Sequence, residues 1–277
     1  MNEGLPSLED TNERIERKVD QNSKIIQKYI RQANAFKFAD LTDILPAGTI
    51  GNAEISHFSI APDMTLMMRA LFSDPMHYVQ AGDYACLKVD GQIMMSDTTF
   101  ERATAHEFLT RAHGAILITG LGLGMVLHPL IKNPRVTGIT VVENNENVIN
   151  LVQRTVPPYP RPGCRVRLLH SDAFWWRPSN QRFNTIWHDI WPTICTANLK
   201  EVAKLKRRYG QWLDRDDPDR WQGAWVHEKL KELKRVEDEE LAFWEKKSHE
   251  RNKERAARRR SRDHRDRGSA VGDGGVS

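Results

Sequence analysis

The stretch LITGLGLGMVLHPLI (Leu117–Ile131) decides how this chain folds. An apolar run leads into glycines at positions 120, 122 and 124, and apolar residues at helical spacing follow. Glycine reaches backbone conformations that other residues avoid, and it leaves the main chain bare. A strand that passes into a helix over such a segment either makes a tight turn or presents its backbone to a ligand.

Working outward, strand and helix patterns alternate. AILITG reads as a buried strand over Ala115–Thr119, and GMVLHPLIKNP as a helix that Pro129 should bend or end early. GITVVE is a second strand and NENVINLVQRTV a second helix. CRVRLLHSDAF holds a third strand, and FNTIWHDIW a fourth. Strands that alternate with helical patterns indicate βαβ units and a parallel sheet. Upstream, YACLKVDGQIMMSD has two apolar runs joined by Asp90-Gly91, a hairpin signal because both turn residues must reach positive φ. Thr99 to Ala112 reads as a helix leading into the sheet.

The expected fold class is therefore α/β. A truncated Rossmann-like parallel sheet of about four strands is preceded by a short β-hairpin region and followed by long charged helices. The domain organisation follows. Residues 1–35 form an amphipathic helix, with Ile15, Val19, Ile26 and Ile30 at helical spacing, docked or self-associating. Residues 36–114 are a small β-rich region, residues 115–225 the nucleotide-binding domain, and residues 226–277 a charged helix with a basic, flexible tail ending in GSAVGDGGVS.

Composition narrows the function classes. Hydrophobic residues make up 39% of the 277, enough for a real core, and 28% are charged. No apolar stretch is long enough for a membrane span. The start, MNEGLPSLEDTNERIERK, lacks the basic and apolar parts of a signal peptide. Cys86, Cys164 and Cys195 are far apart, so a disulfide framework is not expected and a cytoplasmic setting is. The net charge of +4 belongs to the tail: Arg251–Arg267 holds 9 basic and 3 acidic residues, which leaves the rest of the chain net negative. That disfavours a nucleic-acid groove across the body while leaving the tail free to touch nucleic acid or another anionic surface.

In an open parallel sheet, ligands sit at the carboxyl ends of the strands. Four such ends carry candidates in register. Gly120, Gly122 and Gly124 follow the first strand. Glu143 ends the second, placed to accept hydrogen bonds from a ribose diol. Asp172, with Ala173 beside it, follows the third, and Asp189 ends the fourth. Each has a purely structural alternative: a turn for the glycines, helix capping for Glu143 and Asp172, a buried partner for Asp189. The P-loop pattern is absent. The histidines show no paired metal-ligand spacing, so no metal is expected. Trp175, Trp176, Trp187 and Trp191 either line the cleft mouth or pack the core. Cys195 beside His188 reads as a half-buried thiol.

These segments resemble the class I S-adenosylmethionine-dependent methyltransferases. They are most similar to the spermidine synthase-like branch, and HDIWPTICTANLKEVAKLKRRYGQW is similar to phage-type relatives of that branch. The resemblance covers about Tyr84 to Pro192. It implies S-adenosylmethionine as cofactor. Gly120, Gly122 and Gly124 would pass its methionine moiety, Glu143 would bind its ribose, and Asp172 with Ala173 its adenine. Asp189 would face the reacting centre. Two departures are visible. Leu123 stands where aminopropyltransferases have an aspartate, and HDIWP keeps one aspartate where they have two.

The expected activity is methyl transfer from S-adenosylmethionine to an unknown acceptor, with Asp189 orienting an acceptor amine or acting as base and His188 as a second candidate. The alternatives are aminopropyl transfer and a non-catalytic nucleotide-binding or protein-interaction module. The oligomeric state is open, with a homo-oligomer among the expectations.

Overall fold

The computed structural model describes residues 8–65 and 78–269. Two compact units divide the chain, residues 1–227 and 228–277.

The first unit opens with α1 (Leu8–Asn34). Ile26 and Ala33 are buried on its inner face, and the Tyr29 ring meets Phe100 edge-on at 5.4 Å. The helix is thus docked on the body. The side chains of Ile15 and Val19 lie outside the described residues. After the short α2 (Leu41–Ile44) comes an antiparallel sheet of β1 (Gly48–Ile50), β2 (Ala53–Ile60), β3 (Gly82–Val89) and β4 (Gln92–Ser96), in that order across the sheet. Asp90 (φ 51°) and Gly91 (φ 76°) make the β3–β4 turn with two positive φ angles, as the Asp-Gly pair predicts.

Thr99–Ala112 forms two short helices, α3 (Thr99–Thr104) and α4 (His106–Arg111). Asp97 fixes where α3 starts. Its carboxylate is fully buried, accepts the Ala85 N–H at 2.8 Å and pairs with Arg102 at 2.8 Å.

The second sheet is parallel, with β5 (Gly114–Thr119), β6 (Val136–Glu143), β7 (Arg165–His170), β8 (Thr185–His188) and β9 (Trp221–Ala224) in the order β7-β6-β5-β8-β9. The fold is α/β and Rossmann-like. The expected count of about four strands is one short, because β9 pairs in parallel with β8. Pro129 does not break α5 (Leu127–Lys132). It sits in the first turn, where its missing N–H costs nothing, and the preceding residues from Leu121 form turns. Asn145 starts α6 (Glu146–Val152) by accepting the Asn147 N–H at 2.9 Å.

Both faces of the parallel sheet are covered. Ile116 and Ile118 belong to one core with Phe108, Val148 and Trp187. Leu117 and Ile186, on the opposite face, pack with Val202, Leu205 and Tyr209 of α7 (Asn198–Gly210). The small sheet is tied to the large one through Asn52, whose Oδ1 accepts from the side chains of Asn145 and Asn147, both at 3.1 Å.

The second unit is the long helix α8 (His227–Ser269). Among the described residues, no helix is long and apolar enough to cross a membrane. Residues 270–277, the end of the expected tail, lie outside the described residues.

Candidate active site

A cavity of about 720 Å³ opens at the carboxyl ends of β5, β6, β7 and β8. Strand order reverses between β5 and β8, which is where open α/β sheets bind ligands. Its size falls in the range of small-molecule sites. Gly120, Gly122, Glu143, Asp172, Ala173 and Asp189 all line it. Gly124 and His188 do not.

The glycines have different local reasons. Gly120 (φ 94°) lies so close to β8 that an added Cβ would come within 1.7 Å of the Asp189 carbonyl oxygen. At Gly122 (φ 53°) a Cβ would meet the Met95 sulfur at 2.1 Å, and the Leu123 N–H donates to that sulfur at 3.2 Å. At Gly124 (φ 69°) a Cβ would meet Val152 in the core at 2.8 Å. Gly124 therefore serves packing. Leu123 is fully buried, so its side chain points into protein rather than along the cavity.

Glu143 does two jobs. Its carboxylate accepts the Leu121 N–H and the Asn145 N–H, each at 2.9 Å, and so ties the glycine turn to the end of β6. A carboxylate has about four acceptor sites, and the remaining ones are available on the cavity wall. Asp172 accepts the Phe174 N–H at 2.6 Å, which makes it a turn former as well as a lining residue. The Ala173 carbonyl accepts from the Tyr209 hydroxyl at 2.7 Å.

Asp189 follows β8, and burial pushes its carboxyl up to about 7. Glu101, which the sequence reading missed, comes from α3 and lines the same cavity. Burial, and then the Asp189 charge, push Glu101 up to about 8. Neither carboxyl has an ion-pair partner among the described residues. Arg102, next to Glu101 in sequence, is committed to Asp97. Trp187 forms the adjoining wall. Its indole Nε1 is buried with no partner at full hydrogen-bond geometry, and its weak interaction with the Asp189 carboxylate favours the ionised form against the larger effect of burial. Its ring stacks on Phe108 with centroids 5.0 Å apart. Trp191 and Trp225 also line the cavity, whereas Trp176 stacks on Tyr209 and Trp175 is exposed.

His188 faces the other way. Its Nδ1 lies 3.0 Å from Thr119 Oγ1 and its Nε2 2.9 Å from the Gln222 amide nitrogen. Gln222 donates to Nε2, so Nδ1 carries the proton and donates to Thr119. The ring is fully buried, and burial pulls it down to about 3. It is a neutral structural residue behind β8. The three cysteines are free, with Cys195 exposed and Cys86 and Cys164 buried.

No family model matches the chain, and no curated protein does. Solved structures similar to it include a CcbJ methyltransferase from Streptomyces caelestis, 18% identical, covering 36% of this chain and 39% of that one, TM-score 0.30. The glycopeptide N-methyltransferase MtfA complexed with S-adenosyl-L-methionine is 19% identical over 40% of this chain and 44% of that one, TM-score 0.30. Spermidine synthase from Thermotoga maritima is 17% identical over 61% of this chain and 52% of that one, TM-score 0.37. The chain thus spans 39% to 52% of the length of these three proteins. Likeness at this level carries nothing about activity.

Proposed function

We propose that the chain binds S-adenosylmethionine in this cavity and transfers its methyl group to an acceptor held against Asp189. One observation carries the proposal. A small-molecule cavity at the strand-order reversal is lined by the glycine turn, by Glu143, and by the carboxyls of Asp189 and Glu101, which have no ion-pair partner among the described residues.

The residues present fit the donor. Gly120 and Gly122 present their backbone on the cavity wall, Glu143 keeps acceptor sites for a diol, and Asp172 and Ala173 stand one strand further out. When bound, S-adenosylmethionine supplies an electrophilic methyl group on a sulfonium. The protein then has to align the acceptor and deal with one proton. Asp189, raised to about 7, suits that proton, since a base works best when its pKa lies near the working pH. Glu101 beside it lets the pair hold one proton while the other carboxylate faces the acceptor. Trp187 and Trp225, with Met94 and Met95 from β4, give the cavity apolar walls.

The test is S-adenosylhomocysteine formation with a panel of amine acceptors. Asp189→Asn should keep donor binding and lose roughly 10²–10⁴ in rate. Equal rates would remove Asp189 as base.

Aminopropyl transfer is the second reading, and Glu101 favours it. Leu123, which stands where aminopropyltransferases have an aspartate, is buried in the core and offers a decarboxylated donor no acceptor. Either Asp189 or Glu101 can instead accept a lone ammonium. Competition of the two donors against S-adenosylhomocysteine separates the readings: a tenfold preference for the decarboxylated donor would put aminopropyl transfer first.

A further inference from the structure

Helix α8 carries an apolar patch that it cannot bury by itself. Leu233, Val236, Leu241, Phe243 and Trp244 are all exposed, Trp244 at 61% and Leu241 at 59%. At 3.6 residues per turn, Leu233, Val236, Phe243 and Trp244 lie along one side, with Glu240 and Lys247 on the same side. Phe243 and Trp244 meet edge-on at 5.4 Å, and the Lys247 ammonium stands 5.7 Å from the centre of the Phe243 ring. Adjoining exposed aromatic residues on a charged helix are the kind of group that anchors protein contacts.

The net charge on either side of Leu241–Trp244 is of opposite sign. Residues 237–240 read Glu-Asp-Glu-Glu before it, and after it Lys246, Lys247, Arg251, Lys253 and Arg255 outnumber Glu245, Glu250 and Glu254. Asp238 and Glu239 are paired within the helix, to Lys234 at 2.5 Å and Arg235 at 2.9 Å. Neither Glu240 nor Lys247 has an ion-pair partner among the described residues.

We infer that this patch is the docking surface for α8 of a second copy of the chain, packed antiparallel and crossing at Leu241–Trp244. The antiparallel direction follows from the charges. It sets residues 237–240 of each copy against the basic segment after Trp244 of the other, with the aromatic residues at the centre. A parallel pair would put acid against acid and base against base, a costly arrangement across an interface.

The test is the oligomeric state of the full chain, measured by analytical ultracentrifugation from low to high micromolar concentration. A concentration-dependent dimer is expected, weakened by salt. Phe243→Ala with Trp244→Ala should abolish it. Glu237→Lys with Glu240→Lys should raise the dimer Kd by about tenfold or more through like-charge contacts. Lys246→Glu with Lys247→Glu should do the same. The chain carrying all four reversals should regain dimerisation, because the charges again match. Circular dichroism checks that each variant keeps its helix. A monomer at every concentration would overturn the inference. So would dimerisation that survives loss of the aromatic residues, or single-block reversals that pair as well as the wild type.

Discussion

The Glu143 carboxylate accepts the Leu121 N–H at 2.9 Å and so holds the turn after β5 from the end of β6. The residue expected to bind a ribose also builds the wall beside it. Glu143→Ala should therefore weaken donor binding by roughly 1–3 kcal/mol and also lower stability, since two backbone donors lose their acceptor. Calorimetry and urea denaturation on the same variant measure the two effects. Unchanged affinity with lowered stability would leave Glu143 a structural residue only.

Gly120 and Gly122 should differ on replacement. Gly120→Ala drives a methyl group into the backbone of Asp189, so strain at positive φ adds to a collision that cannot relax, for a cost of about 3 kcal/mol. Gly122→Ala meets only the Met95 thioether, which can swing away, and should cost about 1–2 kcal/mol. Thermal unfolding ranks them, and an equal cost would show that Met95 is held rigidly.

Stability should depend on the carboxyl pair. Asp189 and Glu101 titrate in the fold at about 7 and about 8, above their ordinary values of 3.8 and 4.5. Each binds its proton more tightly folded than unfolded, so stability falls as pH rises from about 4 to about 8. Asp189→Asn and Glu101→Gln should each flatten that fall. The variants should gain on the wild type at pH 8.5 relative to pH 5.5, where 1 kcal/mol corresponds to roughly 2–4 °C in Tm. Parallel Tm–pH curves would contradict the shared burial of the two groups.

At the other end of the sheet, His113 Nε2 lies 2.7 Å from the Asp217 carboxylate, which also accepts from Asn184. Burial opposes protonation of His113, but the Arg111 carbonyl and Asp217 outweigh it and raise its pKa. Asn184 and His113 hold Asp217 below its usual value. The His113 contribution is complete below about pH 6.5 and is lost as pH rises through its raised value. The Asp217 contribution is present above about pH 4 and is lost as pH falls through its lowered value. His113→Gln should accordingly cost more stability at pH 6 than at pH 9, measured by urea denaturation. A cost that does not change with pH would mean the pair is not ionic.

Local patterns make much of this legible in the sequence. The Asp90-Gly91 turn, the strand–glycine–helix segment and the carboxylates ending β6 and β8 all follow from short-range rules. Strand β9 does not, because Trp-Gln-Gly-Ala has no apolar run and becomes a strand only by pairing along β8. Glu101 was hidden for a related reason. It reaches the cavity because Asp97 anchors α3 to β3, a contact that no spacing announces. His188 was readable but was misplaced. The alternation along β8 sends Trp187 to the cavity face and His188 to the opposite one, against Tyr209. Leu123 shows the same limit: its sequence position suggests the cavity, while the turn that Gly122 and Gly124 make points it into the core.

The proposed occupant of the cavity at the β5–β8 reversal is S-adenosylmethionine. Isothermal titration of the full chain with S-adenosylmethionine and with S-adenosylhomocysteine decides it. One site per chain is expected, with the two ligands competing and Glu143→Ala weakening both. No heat of binding from either ligand at millimolar concentration would contradict the account.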